Sequence, residues 1–117
     1  MIKTYNGSKL GITSSHRKAL LRNLAKNLFL HEKVTTTLAK AKELVSYSEK
    51  LVTKAKKADL SAIRAISSAI NDKVVVKKIF DVLVLRYKER NGGYTQIIKI
   101  GTRYGDRANI AVVKLII

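Results

Sequence analysis

The chain has 117 residues, 46% of them hydrophobic, and carries 24 Lys+Arg against 8 Asp+Glu, a formal net charge of +16 at pH 7. That length fits one domain with its own core, and the apolar share excludes a disordered basic tail. The chain has no cysteine, which excludes disulfide scaffolds, zinc ribbons and thiol catalysis, and 2 histidines are too few for most histidine-based metal sites.

Charge of this size repels itself within a compact fold, and solubility needs a magnitude of only about 2–8. A polyanionic partner is therefore expected: nucleic acid, an acidic membrane surface or an acidic protein. The longest run without Asp, Glu, Lys or Arg is the eight residues 91–98, well short of the ~18 that a membrane span requires. The start of the chain lacks an apolar leader region, so a cytoplasmic location is expected.

Residues 1–14 carry Lys3 and Lys9, no acid, and the glycines Gly7 and Gly11. They read as a basic, flexible N-terminal arm ahead of a single globular domain, 15–117. From Ser15 to about Leu30, Leu20, Leu21, Leu24, Ala25 and Leu28 recur at helical spacing. Lys18, Arg22 and Lys26 form an i, i+4, i+8 row on the other side, with Ser14 or Ser15 as N-cap. The segment His31–Thr36, with Val34, Thr35 and Thr36, predicts a short strand.

Thr36 or Thr37 then caps a long helix to about Lys57, with a buried stripe of Leu38, Ala41, Leu44, Val45, Ser48, Leu51, Val52 and Ala55. Lys40, Lys50, Lys54 and Lys57 lie largely off it. Asp59 caps a third helix with Leu60, Ile63, Ile66 and Ile70 as its apolar face. Asn71 or Asp72 caps a fourth, which uses Val75 or Val76, Ile79, Phe80, Leu83 and Tyr87. Asn91-Gly92-Gly93 ends it. Two runs of strand composition, 94–100 and 110–117, flank a loop with Gly101, Arg103, Tyr104, Gly105, Asp106 and Arg107, which reads as a hairpin. The fold class is α+β: a two-layer domain of about four helices on a small three-stranded sheet, in the order α-β-α-α-α-β-β, with the first strand joining the hairpin's edge.

The basic residues carry the chemistry. Residues 1–57 hold a net +10 and residues 58–117 a net +6, so the field is broad with an N-terminal bias, and phosphate contact is its physical meaning. Ser14-Ser15-His16-Arg17-Lys18 sets two cations and a histidine at a helix start, where backbone N–H groups favour anions; the plain alternative is a capped helix with solvated side chains. His31-Glu32 lacks the second histidine of a metalloprotease motif, because position 35 is Thr35, and reads as a helix end. The glycines before Tyr94 admit close approach of a sugar–phosphate chain, or serve only as a turn. Arg103, Tyr104 and Arg107 offer two guanidiniums and an aromatic ring at a hairpin tip, or a polar turn. The acids are scattered, with no pair placed for acid/base work, so no enzyme, metal, cofactor or small-molecule substrate is expected.

Three segments resemble the bacterial large-subunit ribosomal protein seventeen family. They are Thr13-Ser14-Ser15-His16-Arg17-Lys18-Ala19-Leu20-Leu21-Arg22-Asn23-Leu24, His31-Glu32-Lys33-Val34-Thr35-Thr36-Thr37-Leu38-Ala39-Lys40-Ala41-Lys42-Glu43-Leu44, and Gly92-Gly93-Tyr94-Thr95 followed by Ile97, Lys99, Gly101, Arg103, Gly105 and Asp106. The resemblance spans nearly the whole chain. It implies a ribosome-bound structural protein on large-subunit ribosomal RNA, near the nascent-chain exit, with protein thirty-two and protein twenty-two as neighbours. It carries His16, Arg17, Arg22, Lys40, Lys42, Gly93, Tyr94, Arg103 and Gly105 over as positions near RNA. Together with the residue reading, the RNA-binding set is Lys3, Lys9, Ser15, His16, Arg17, Lys18, Arg22, Lys26, Lys40, Lys42, Gly93, Tyr94, Arg103, Tyr104 and Arg107. Family members usually open with an arginine- and histidine-rich arm, which Met1-Ile2-Lys3-Thr4-Tyr5-Asn6 is not, and many carry a tail beyond the position of Ile117.

Two other functions fit the composition. A general nucleic-acid-coating or DNA-compacting protein would bind duplex DNA equally well. A peripheral membrane protein would use the first helix, although its one large aromatic anchor is Phe29 and its leucines are needed for the core.

Overall fold

A computed structural model describes residues 14–117. The leucine periodicity forms α1, Ser14–His31. α1 is described from Ser14, at the edge of the described residues, where the expected N-cap, Ser14 or Ser15, lies. Lys3 and Lys9 of the predicted arm lie outside the described residues. Ala25, Leu28 and Phe29 are fully buried, whereas Leu20, Leu21 and Leu24 are half-buried. The buried stripe is thus rotated toward Phe29, and the Lys18–Arg22–Lys26 row flanks it instead of opposing it. At ~100° per residue, Arg22 stands only ~60° from Ala25 around the helix.

His31 occupies the last turn of α1, where the dipole favours a cation. Glu32 then adopts φ 65°, and its N–H donates to the Leu28 carbonyl at 2.7 Å. This left-handed residue ends the helix and turns the chain into β1, Lys33–Thr37. In α2, Leu38–Ala55, the expected stripe is buried at Ala41, Leu44, Ser48, Val52 and Ala55, with Leu38, Val45 and Leu51 packed at its margin. Ser48 is tolerated in the core because its hydroxyl donates to the Leu44 carbonyl at 2.7 Å. Thr37 holds the N-cap position without a side-chain hydrogen bond.

Asp59 caps α3, Leu60–Ile70, by accepting from the Ala62 N–H at 2.7 Å. The buried face departs from the expected one: Ala62, Ile66 and Ile70 are buried, whereas Leu60 and Ile63 are 61% and 41% exposed. The small Ala62 lets the helix approach its neighbours along an i, i+4, i+8 row, and the bulkier pair turns outward. Asn71 closes α3 in the left-handed conformation, and Asp72 caps the next helix through the N–H groups of Val74 and Val75. The two cap candidates therefore serve different helix ends.

The last helix, α4, runs from Lys73–Lys78 through a π-helical turn, Ile79–Leu83, into Val84–Arg86. The valine run is helical as read. Val75, Ile79, Leu83 and Tyr87 are buried at four-residue spacing. In an α-helix each such step overshoots the face by ~40°. The wider turn, closed by the Val84 N–H on the Ile79 carbonyl, takes up that drift and keeps the row on the core. Because the helix stops at Arg86, Asn91-Gly92-Gly93 forms the entry to the sheet and not the helix stop.

β2, Thr95–Thr102, and β3, Asn109–Leu115, form the predicted hairpin, and β1 joins antiparallel along the other edge of β3, giving the order β1-β3-β2. Ala111, Val113 and Leu115 face the core. α1 and α2 rest on that face, α3 packs on both, and α4 packs on α1, α2 and α3. Ile98 and Ile100 stay exposed, and a bulge interrupts β2 between Lys99 and Gly101. The architecture is the expected two-layer α+β domain.

Candidate nucleic-acid interface

Several of the carboxylates are engaged within the fold. Glu32 binds Arg86 in a bidentate fork, at 2.7 and 3.2 Å, and Lys78 at 3.0 Å. Lys78 also donates to the Leu30 carbonyl at 3.0 Å. The Arg86 hydrogen bond, reinforced by Lys78, holds the Glu32 carboxyl at about 2, while the same contact raises Arg86 above its ordinary value. Asp59 and Asp72 are helix caps. Glu49 accepts from the Thr95 hydroxyl at 2.9 Å.

At the start of α1, Ser15, His16 and Lys18 are exposed, and Arg17, Arg22 and Lys26 are half-buried. Arg22 also lines a groove that α1 forms with α2 and α3. On α2, Lys42 is exposed and Lys40 half-buried. The described members of the predicted set on α1 and α2 thus reach the surface at least in part.

The hairpin tip presents Tyr104 at 92% exposure, with Arg103 and Arg107 exposed beside it. Arg103 is held by Asp106 through Nε–Oδ1 at 3.1 Å and Nη2–Oδ2 at 2.5 Å. Asp106 also accepts from the Ala108 N–H at 3.1 Å. These contacts, Arg103 first, hold its carboxyl at about 2. Arg107 adopts φ 57°, a turn conformation that a guanidinium-bearing residue occupies at some cost.

Tyr94 does not fit the expectation of a stacking ring. It is 1% exposed, packs 5.1 Å from the Tyr87 ring, and its hydroxyl accepts from Lys56 Nζ at 3.1 Å. Lys56 also donates to the Arg90 carbonyl, and the Tyr87 hydroxyl donates to the Ile116 carbonyl. Burial raises the Tyr87 phenol above its ordinary value. These aromatics join the end of α4 to the sheet. Gly93, next to Tyr94, is exposed with φ 64°, so its role here is the turn that drives Tyr94 inward.

Two basic features escaped the sequence reading. A groove of about 560 Å³ between α2 and the 91–92 turn is lined by Lys50, Lys54 and Lys57. Their i, i+4, i+7 spacing was visible, but the opposing wall is not. On the sheet, Lys33 lies directly opposite Lys114, a like-charge pair that costs stability unless an anion is near. Strand register, which the sequence does not state, creates it.

No cluster of three or more His, Asp or Glu side chains that could hold a metal occurs among the described residues. No helix among them is long and apolar enough to cross a membrane. What remains is a rigid layered domain with basic groups spread over α1, α2 and the hairpin tip. Residues 20–116 match the family described as Ribosomal protein L17.

The chain belongs to the ribosomal protein L17 family. It is 79% identical over 116 residues to the large ribosomal subunit protein bL17 of Endomicrobium trichonymphae, covering 99% of both chains. It is 57% identical over 110 residues to the protein of that name from Rickettsia canadensis, covering 94% of this chain and 81% of the relative. With the Geobacter sulfurreducens protein it shares 54% identity over 110 residues, 94% of this chain and 63% of that one. The L17 match begins at residue 20. It therefore covers all of the second and third resembling segments but only the last part of the first, leaving Ser15–Lys18 ahead of it.

Proposed function

We propose that this chain is a structural constituent of the large ribosomal subunit that binds large-subunit ribosomal RNA through its basic surface. One observation carries the reading: membership of the L17 family, over residues 20–116, in a chain with a formal charge of +16. The packed layer holds α1, α2 and the hairpin tip in fixed relation, so their cations meet the sugar–phosphate backbone without an ordering cost. The row Lys18, Arg22 and Lys26, at ~6 Å intervals along α1, follows phosphates. Tyr104 supplies the stacking ring that Tyr94 does not. Lys3 and Lys9 of the N-terminal arm add further phosphate contacts.

The role is structural and not catalytic, and the place of work is the ribosome in the cytoplasm. Exposed Ile98 and Ile100 on the open face of the sheet are the surface we assign to neighbouring ribosomal proteins, proteins thirty-two and twenty-two among them. Sucrose-gradient fractionation of a cell lysate at low and then high salt tests the reading. Comigration of the chain with the large subunit at both salt levels is expected. Release to the top of the gradient at modest salt would instead favour a general nucleic-acid-coating protein.

A further inference from the structure

We propose that the free edge of β2, continued by the lysine groove along α2, takes an extended acidic segment of another polypeptide as a fourth strand. The inference goes beyond RNA binding and does not depend on it.

β2 lies at the margin of the sheet, in the order β1-β3-β2, so one side of it has no strand partner. The Ile116 N–H donates to the Tyr94 carbonyl, whereas the Leu115 N–H turns to Glu32 on the far side of β3. Leu115 stands opposite Thr95. Strand alternation then bonds Gln96 and Ile98 to β3 and points the N–H and C=O groups of Thr95, Ile97 and Lys99 outward. Glu49 accepts from the Thr95 N–H at 3.4 Å, while among the described residues no side chain or loop takes those of Ile97 and Lys99. An edge of this kind templates pairing with another chain unless proline, bulges or charge blunt it. The chain has no proline, and the bulge comes only after Lys99. The stretch Thr95–Lys99 is therefore open to pairing.

Charge selects the occupant. Glu49, bonded to the Thr95 hydroxyl, also lines the groove of about 560 Å³ with Lys50, Lys54, Lys57 and Gly92. The edge and the groove are thus continuous. The three lysines are exposed, and among the described residues no carboxylate pairs with them. A strand laid on β2 and continued past Thr95 enters the groove, where its carboxylates meet three ammonium groups. A second copy of the chain would instead bring +16 against +16. A nucleic acid matches the lysines but not the edge, where amides repeat at strand spacing and exposed Ile98 offers neither charge nor a stacking plane. The fitting partner therefore alternates apolar and hydroxyl residues beside β2 and carries its acids at the Thr95 end.

The test uses the full chain and a labelled synthetic peptide of alternating valine and threonine joined to a run of glutamates. The peptide is made with the acids at either end, because either strand polarity pairs. Saturating peptide is expected to slow amide hydrogen exchange of Ile97 and Lys99 by roughly tenfold or more. Methylating one alternate set of peptide amides is expected to cost about tenfold in affinity, and methylating the other set little. Lys54→Glu with Lys57→Glu is expected to lose about tenfold, and Lys73→Glu with Lys77→Glu, the same charge change at exposed positions of α4, about twofold at most.

Binding without slowed exchange at Ile97 and Lys99 would overturn the strand pairing and leave charge attraction alone. Equal losses from the two lysine pairs would overturn the groove's part. The same protection on concentrating the chain by itself would assign the edge to a second copy. Protection by large-subunit ribosomal RNA, and not by the peptide, would assign it to RNA. Failure of both peptides to bind would overturn the proposal, whether or not the chain binds ribosomal RNA.

Discussion

Glu32 does three jobs that its neighbours in sequence do not announce. Its backbone ends α1 in a left-handed turn, its carbonyl accepts from the Leu115 N–H at 3.0 Å, and its carboxylate ties Lys78 and Arg86 of α4 to the end of α1. The carboxyl is ordinary in the unfolded chain, near 4.5, and held at about 2 in the fold. A carboxyl held down on folding stabilises the native state above its unfolded value, and the gain fades as pH falls from about 4.5 toward 2. Glu32→Gln is expected to cost about 1–2 kcal/mol at neutral pH, more than an open surface pair because the fork is bidentate and half-buried. Urea midpoints of both proteins from pH 7 to pH 2 check this: the difference should shrink through that window. Tyr104 is the opposite case, a ring with almost no packing. Tyr104→Ala should leave the thermal midpoint unchanged and weaken RNA affinity by about 1–3 kcal/mol, the range of one base–aromatic stack; an equal loss of stability would mean that the ring serves the fold.

At the scale of elements, the helical faces show how far periodicity reaches. The α2 stripe was legible in full because eight apolar or small positions repeat over five turns, so a single assignment satisfies them all. In α3 the signal misled: Leu60 and Ile63 outweigh Ala62 in hydrophobicity, yet helix packing rewards close approach, and alanine permits it. Tyr94 failed as a site residue for a related reason, since an aromatic beside two glycines reads equally as a surface ring or as a core residue delivered by a turn. The sheet adds a tension of its own at Lys33 and Lys114. Lys33→Glu is expected to stabilise the isolated domain by about 0.2–1 kcal/mol through the new cross-strand pair, while lowering its affinity for RNA. Chemical denaturation and a binding curve on the same variant would check the two opposite signs.

For the whole molecule, the informative quantity is the number of phosphates neutralised together. Arg17→Ala combined with Arg22→Ala should weaken RNA binding and reduce the salt slope by roughly one to two, since each lost phosphate contact removes just under one unit; an unchanged slope would place the RNA elsewhere on the surface. The sequence by itself determined the fold class and the need for a polyanionic partner. Net charge is a sum that needs no coordinates, and helical and strand periods are local consequences of backbone geometry. Only the tertiary structure decided which cations share a groove and which are spent on carboxylates. It set Arg22 in a groove with residues of α2 and α3, gave Arg86 and Lys78 to Glu32, and drew Tyr94 under Lys56. These pairings join residues from separate elements, and the packing of four helices with one another and with the sheet, which no local pattern encodes, brings them within hydrogen-bond reach.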